Sequence, residues 1–273
     1  MLTLTSVEMN TWIAALLWPL SRILGMIAAA PLFGNASFPR SAKVALAIVI
    51  ALIMAPVIPA GPAADPMSMA GLLIVAQEMI IGLAIGFAIR IVFAAVEMAG
   101  EIVSATMGLG FASVFDPQTK GRSSAVSQFL ALIATMAFLA INGHLLLLEV
   151  LAESFVSMPI SATPTSSNLM LQLVKWAGAI FSVGLQLSLP IVAALLITNV
   201  ALGILTRAAP QLNIFGIGFP VSLGVGLLLI SQVLPYMAVP LQNLFHQGLE
   251  SARAIPRAGA MRTPPGSVPM APR

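Results

Sequence analysis

Long apolar stretches alternate along this chain with short polar ones. Six of them reach or approach the length of a membrane span, because a transmembrane helix needs roughly 20 mostly apolar residues. Their spacing predicts an all-α, polytopic membrane protein of about six apolar helices. The stretches cover residues 11–33, 44–58, 69–100, 129–150, 169–206 and 214–244.

Glycine and proline indicate that these helices are kinked and closely packed. The chain contains 21 glycines and 20 prolines. A continuous helix over residues 169–206 would be about 57 Å long, well beyond one bilayer. Pro190 is the predicted bend, because proline removes a backbone hydrogen bond and crowds the preceding turn. Gly82 and Gly86 form a small-xxx-small pair, which predicts a close approach of two helix backbones.

Composition excludes a water-soluble protein. Hydrophobic residues make up 59% of the chain and charged residues 8%, whereas about a quarter of the residues in soluble domains are charged. The formal net charge is +3, but much of it comes from residues 251–273, which are predicted to form a disordered basic tail. The charge therefore indicates no nucleic-acid partner, and membrane lipid is the expected surrounding.

The basic residues of the short loops predict the orientation. Lys and Arg occur near residues 40–43, near residues 120–122 and at Arg207, which assigns these loops to the cytoplasmic side. The loops around Asp65 and Ser161 have no basic residue. Six crossings would then put both termini outside, whereas the arginine-rich tail favours the inside. This conflict indicates that at least one stretch is re-entrant or lies partly outside the hydrocarbon region.

Four charged residues lie within the apolar stretches. A charge at the bilayer centre costs about 2.5–3.5 kcal/mol on insertion scales, so each of them needs a partner. Interhelical ion pairs or snorkelling side chains are the first interpretation, and a role in moving ions or protons is the second. The four intramembrane charges are Arg22, Glu78, Arg90 and Glu97.

No group of residues predicts an enzyme active site. The chain has no cysteine, and its two histidines, His144 and His246, lie in different stretches. A zinc site needs several ligands at set spacings, and nucleophilic catalysis needs a base beside Ser, Thr or Lys. The sequence therefore predicts a non-enzymatic protein with no metal and no cofactor.

The least apolar internal stretch contains a candidate plug loop at about residues 106–122. Two glycines loosen its backbone, two phenylalanines supply large apolar groups, and an Asp-Pro pair begins a turn. Such a loop could plug a hole. The alternative is an interfacial loop whose aromatic side chains dip into lipid headgroups. The residues of the candidate plug loop are Gly108, Gly110, Phe111, Phe115, Asp116 and Pro117.

Two motifs carry a family resemblance. They read Gly-Phe-Ala-Ser-Val-Phe-Asp-Pro-Gln at residues 110–118 and Arg-Ala-Ala-Pro-Gln-Leu-Asn-Ile-Phe-Gly-Ile-Gly-Phe-Pro at residues 207–220. Over about residues 10–248 the chain resembles the FliR family of flagellar biosynthetic proteins, whose virulence counterparts are the SctT proteins of type III secretion systems. The second motif is the more specific, and its ending is more similar to the flagellar branch. Its key positions are Arg207, Pro210, Gln211, Asn213, Phe215, Gly218 and Pro220.

The resemblance implies a subunit of the flagellar type III protein export gate, in the bacterial inner membrane at the flagellar basal body. Its implied partners are FliP and FliQ, with FlhB as a further one, and unfolded flagellar proteins in transit. Residues 1–168 would form a FliP-like helical region, and residues 169–250 a FliQ-like helical hairpin. In this family the glycine-rich loop closes the pore, which makes Phe111 and Phe115 the implied occluding groups.

Two other functions are alternatives. The first is a SctT-type export gate subunit of a virulence secretion system. The second is a secondary transporter for small solutes, which would be expected to have related sequence halves and a midplane site built from broken helices. No internal repeat is evident in the sequence.

Overall fold

The computed structural model describes residues 6–35, 37–59, 61–62, 64–109, 123–163, 168–209 and 214–260. Every regular element within these ranges is helical, which confirms the predicted all-α class. A short 3-10 helix, Leu234–Met237, joins the last two α-helices. The α-helices are α1 Ser6–Ala29, α2 Arg40–Met54, α3 Met69–Thr106, α4 Ala125–Ala140, α5 Gly143–Ser157, α6 Asn168–Ala177, α7 Ala179–Ala208, α8 Ile214–Val233 and α9 Ala238–Ala260.

Four helical segments in the described part of the chain are long and apolar enough to cross a membrane, and α4 with α5 makes a fifth if this pair is one broken span. The pair bends by 67° at Asn142, whose φ of 55° is a conformation that asparagine tolerates better than most residues. The prediction of about six spans includes α2, which at 15 residues is too short to cross alone. The four segments are Trp12–Ala29, Met69–Thr106, Asn168–Ala208 and Gly218–Gly259.

The interruption in the overlong fifth stretch lies at Gly178. The helix α6 ends at Ala177 and α7 begins at Ala179. Gly178 keeps right-handed helical backbone angles, φ −59° and ψ −23°, so Asn168–Ala208 still forms one long helical segment. The helix α7 continues through Pro190, where the sequence predicts the bend.

The prediction of a disordered tail from residue 251 is wrong for residues 251–260. The helix α9 continues to Ala260, and Ala252 and Ile255 on its inner face are buried. Alanine favours helix, and the two buried residues are three positions apart, so they lie on one face of the helix. The high content of Arg, Pro and Gly makes this apolar face hard to recognise in the sequence. Residues 261–273 lie outside the described residues.

The described chain forms two compact units. The first comprises the described parts of Met1–Arg90, Leu145–Trp176 and Leu249–Arg273. In its core, α1 packs on α2 and α3. The helix α6 is joined to α3 by a hydrogen bond of 2.9 Å from the Trp176 indole Nε1 to the Ala88 carbonyl. Large side chains that are almost fully buried in this core are Trp18, Ile23, Met26, Ile27, Ile81, Ile85 and Ile89.

The second unit comprises the described parts of Ile91–His144 and Ala177–Gly248. Its centre is a cluster of three aromatic rings, Phe93, Phe138 and Phe245, with centroids 5.1 to 5.8 Å apart. Tilted and edge-on ring pairs at this separation are a favourable packing arrangement. The helices α7 and α8 pack against each other as a hairpin in this unit.

Candidate functional site

Arg22 and Glu78 form an ion pair inside the first unit. The Arg22 Nε donates to the Glu78 Oε2 over 2.6 Å, and both side chains are 0% exposed. The two residues belong to α1 and α3. Two of the four intramembrane charges are therefore partners of each other. This is expected, because burying a single unpaired charge costs free energy that a pair partly recovers.

The rest of the Arg22 guanidinium binds the end of α5. Its Nη1 donates to the carbonyl and the hydroxyl of Ser154 over 2.8 and 3.1 Å, and its Nη2 donates to the Met158 carbonyl over 3.0 Å. The guanidinium carbon lies 4.3 Å from the ring centroid of Phe155. The last carbonyls of a helix lack partners within the helix and favour a cation. Arg22 therefore acts as a C-terminal cap of α5 while it is paired with α3.

A seam of glycines brings α1 and α3 close enough for this pair. A Cβ atom added to Gly82 would collide with the Arg22 carbonyl oxygen, and one added to Gly86 would collide with the Met26 carbonyl oxygen. The backbones of the two helices are thus in direct contact. This confirms the close approach predicted from the small-xxx-small pair, and it sets Arg22 opposite Glu78.

The other two intramembrane charges, Arg90 and Glu97, are exposed positions on α3. The Glu97 carbonyl accepts a hydrogen bond from the Ser127 hydroxyl over 2.9 Å. The second carboxylate oxygen of Glu78, Oε1, is buried without a hydrogen-bond partner among the described residues. No cluster of three or more His, Cys, Asp or Glu side chains able to hold a metal occurs in the described ranges.

The first stem of the candidate plug loop is fixed in the second unit. The Asn199 Nδ2 on α7 donates to the Thr106 carbonyl over 3.4 Å, and the Asn199 Oδ1 accepts from the Ser222 hydroxyl on α8 over 2.9 Å. Met107, which is 1% exposed, packs where a side chain at Gly226 would stand. The α7–α8 hairpin therefore holds the end of α3. Gly108 follows with a φ of 84°, a conformation that favours glycine.

The second stem is fixed to the same end of α3. The Ser124 backbone N–H donates to the Glu101 Oε1 over 2.7 Å, and the Ser124 hydroxyl accepts from the Ser127 N–H over 3.2 Å as the N-cap of α4. Both ends of the loop thus have defined anchors. The remaining predicted plug residues lie outside the described residues, namely Gly110, Phe111, Phe115, Asp116 and Pro117.

The second family motif lies at the turn of the α7–α8 hairpin. Arg207 is exposed in the last turn of α7, while Gly218 and Pro220 lie in the first half of α8. The backbone of Phe215 also belongs to α8. Outside the described ranges are Pro210, Gln211 and Asn213.

The structure contains a charged cluster on α5 and α9 that the sequence does not predict. The Arg253 Nη2 lies 3.1 Å from the Glu149 Oε1, and its Nε lies 3.1 Å from the Glu153 Oε2. The cluster borders a cavity of about 810 Å³ that Glu250 and Arg257 also line. One signal was available, because two glutamates four residues apart on a helix repel each other unless a cation lies between them.

The Arg253 contacts indicate the side of the membrane on which α9 ends. Glu153 lies in the last turns of α5, just before the loop around Ser161, so Arg253 lies on the same side as that loop. The loop around Ser161 has no basic residue, so the sequence-based orientation would assign this side to the non-cytoplasmic face. Because Arg253 is paired with two glutamates, its charge does not oppose this orientation.

We therefore expect a periplasmic reporter enzyme to be active both when inserted at Ser161 and when fused after Ala260. The same reporter inserted at Ala209, after the basic Arg207, is the control and should be inactive. The measurement is enzyme activity in whole cells, normalised to the amount of fusion protein. Opposite readouts at Ser161 and Ala260 would contradict the assignment.

Comparison with known proteins identifies related sequences. The profile of the family described as bacterial export proteins, family 1, matches residues 13–248. The flagellar biosynthetic protein FliR of Pectobacterium carotovorum subsp. carotovorum is 39% identical over 247 residues, which are 90% of this chain and 94% of that protein. FliR of Escherichia coli (strain K12) has the same identity and coverage. FliR of Bacillus subtilis (strain 168) is 30% identical over 235 residues, 85% of this chain and 90% of that protein.

Proposed function

Since this chain belongs to the bacterial export proteins, family 1, we propose that it is a channel-forming subunit of the flagellar protein export gate. The observation that carries the proposal is the 39% identity to flagellar FliR proteins over 90% of the chain. Independently of its exact role in the gate, the chain is a membrane protein of the flagellar export apparatus. Its family is one of export proteins and not of enzymes, which agrees with the prediction of a non-enzymatic role.

In the proposed gate, this chain assembles with FliP and FliQ in the bacterial inner membrane, at the flagellar basal body, and unfolded flagellar proteins pass through the assembly. FlhB is a further proposed partner. Large apolar side chains on many helices are exposed in the single chain, including Ile53, Phe181 and Ile197, which are 67 to 73% exposed. Such faces need lipid or other membrane subunits around them.

The loop at about residues 106–122 is proposed as the plug of this channel. Its stems support the proposal, because a plug must be held at both ends while its middle moves aside. The hydrogen bond from Asn199 and the buried Met107 hold the first end, and Glu101 holds the second through the Ser124 N–H.

Replacement of Phe111 and Phe115 together by alanine should make the assembled gate leaky to ions. The two rings are the largest apolar groups of the proposed plug, and their loss opens a gap through which hydrated ions pass. The measurement is ion conductance of the gate in planar bilayers, where we expect at least a severalfold rise. Phe38→Ala, a change of one exposed phenylalanine in the segment before α2, is the control. Equal conductance of the double variant and the wild type would remove both residues from the plug role.

Purification in mild detergent tests the assembly itself. A tagged copy of this chain should bring down two further small polytopic membrane proteins, identifiable as FliP and FliQ by mass spectrometry. A solute transporter would purify without them. Partners from a virulence secretion system in place of flagellar ones would favour the alternative gate, and a solitary chain would contradict the gate proposal.

A further inference from the structure

Two helices of the second unit hold the end of α3 through one amide side chain. The Asn199 Oδ1 on α7 accepts from the Ser222 hydroxyl on α8 over 2.9 Å, and its Nδ2 donates to the Thr106 carbonyl over 3.4 Å. Thr106 is the last residue of α3, and the last carbonyls of a helix have no partner within it. Ser222 therefore fixes the orientation of the amide, and the amide supplies α3 with a donor from outside the helix.

The two hydrogen bonds of Asn199 differ in length. The bond to Ser222, inside the α7–α8 hairpin, has an ordinary length, whereas the bond to Thr106 is longer than the usual range of about 2.7–3.2 Å for an N–H donor. The contact with α3 is therefore the weaker of the two. It is the one that breaks first when α3 and the hairpin separate, and the hairpin itself stays joined.

The residue after Thr106 is held by packing alone. Met107 is 1% exposed, and a Cβ atom added to Gly226 on α8 would lie 2.6 to 2.7 Å from its Cε, Cγ and Sδ atoms. Methionine is unbranched and flexible, so it can leave such a notch and return to it. Gly108 follows with a φ of 84°, a backbone conformation that glycine adopts without strain. A releasable contact is thus followed directly by a point at which the chain can pivot.

We propose that these contacts form a latch of the export gate, in which Asn199 positions the end of α3 while the gate is closed and releases it when a protein passes. The inference rests on the proposed function, because the latch holds one stem of the proposed plug loop. A contact with a structural role alone would stay joined throughout export. The residues of the latch are Thr106, Met107, Asn199, Ser222 and Gly226.

The first test locks the latch reversibly with a disulfide. The chain has no cysteine, so Met107→Cys together with Gly226→Cys introduces the only pair. The Cβ position at Gly226 is 2.7 Å from the Met107 Cγ, the place that a cysteine sulfur would take, which suits a disulfide. The measurement is secretion of flagellar proteins by cells treated with copper phenanthroline and then with a reductant, with the cross-link confirmed by mass spectrometry.

Oxidation should lower secretion at least about tenfold, because the released state is no longer populated, and reduction should restore it. Met107→Cys alone, treated in the same way, is the control and should secrete equally with and without oxidant. Unchanged secretion by the cross-linked protein would overturn the latch. Should the reduced double variant fail to secrete, the second test decides alone.

The second test removes the hydrogen bonds of the latch. Asn199→Leu keeps a side chain of similar size and should raise the ion conductance of the assembled gate in planar bilayers about threefold or more, as expected for the loss of a hydrogen bond that favours one state. Thr198→Val is the matched control, because its hydroxyl donates only to the Ala194 carbonyl of the same helix. It should leave conductance unchanged. Ser222→Ala replaces Asn199→Leu if that variant no longer co-purifies with its accompanying membrane proteins.

The same bilayer measurement separates failure of the latch from failure of the proposed plug. If the double alanine variant of Phe111 and Phe115 is leaky and Asn199→Leu is not, the latch proposal is overturned and the plug remains. If neither variant is leaky, the plug role fails and the latch fails with it. A leak in Thr198→Val equal to that in Asn199→Leu would also overturn the latch, because any polar change in that turn would then suffice.

Discussion

Replacement of Arg22 by leucine is expected to destabilise the folded chain by about 3–5 kcal/mol, the usual cost of removing one partner from a buried ion pair. Glu78 would remain as a fully buried charge without its partner, and one of its oxygens already has no hydrogen bond among the described residues. The Met158 carbonyl would also lose the donor that Arg22 supplies, and the Ser154 carbonyl would keep only the Met158 N–H. The free energy of unfolding in detergent, followed by circular dichroism, measures the loss.

A double-mutant cycle separates the pair from the cap. Changing Glu78 to leucine as well should recover part of the lost stability, because no unpaired charge remains. The recovery should be incomplete, since the end of α5 still lacks its cap. Arg90→Leu, a change of an exposed arginine on α3, is the control and should shift stability by about 0.5 kcal/mol or less. Equal losses for the Arg22 and Arg90 variants would contradict this account.

Gly82→Ala should be the most damaging single-methyl change in the described helices. The new Cβ would meet the carbonyl oxygen of Arg22 on α1, which is backbone and cannot move without the helix. Overpacking of this kind costs about 1–3 kcal/mol, and the separation of α1 from α3 would also stretch the contact between Arg22 and Glu78. The same unfolding measurement applies, together with motility of cells that carry the variant.

The same substitution at open helical glycines provides a matched control. A Cβ added to Gly203 on α7 or Gly224 on α8 meets nothing within 4 Å. Each change to alanine should stabilise the chain by about 0.5–1 kcal/mol through helix propensity. If Gly82→Ala behaves like these controls, the two backbones are not in contact as described.

The sequence predicts those features that depend on local pattern. The apolar stretches become helices because hydrophobic runs of that length have no other way to satisfy the backbone in a membrane. The spacing of Gly82 and Gly86 predicts a close approach, and the structure identifies the partner backbone as α1. The sequence also predicts that Arg22 and Glu78 have partners, because an unpaired charge within an apolar stretch is unfavourable.

Other features depend on contacts that pattern does not reveal. Arg22 is joined to Glu78, to Ser154 in α5 and to Met158 just after it. These partners lie 56 to 136 positions along the chain. The helical part of the tail, Arg253 included, is ordered by packing against α5. Asn199 and Glu101 anchor the 106–122 loop. Neither belongs to a recognisable motif, so only their positions in the folded chain reveal this role.

The long sequence separation of the Arg22 contacts imposes an order on biosynthesis. The helix α1 carries a guanidinium whose last acceptors, at Ser154 and Met158, are 132 and 136 residues further along the chain. At about 5–20 residues per second, those acceptors are made about 7–27 s later. Until then Glu78, 56 residues along the chain, is the charged partner that Arg22 can have, so a chain that stalls before residue 154 contains an arginine with only part of its hydrogen bonds.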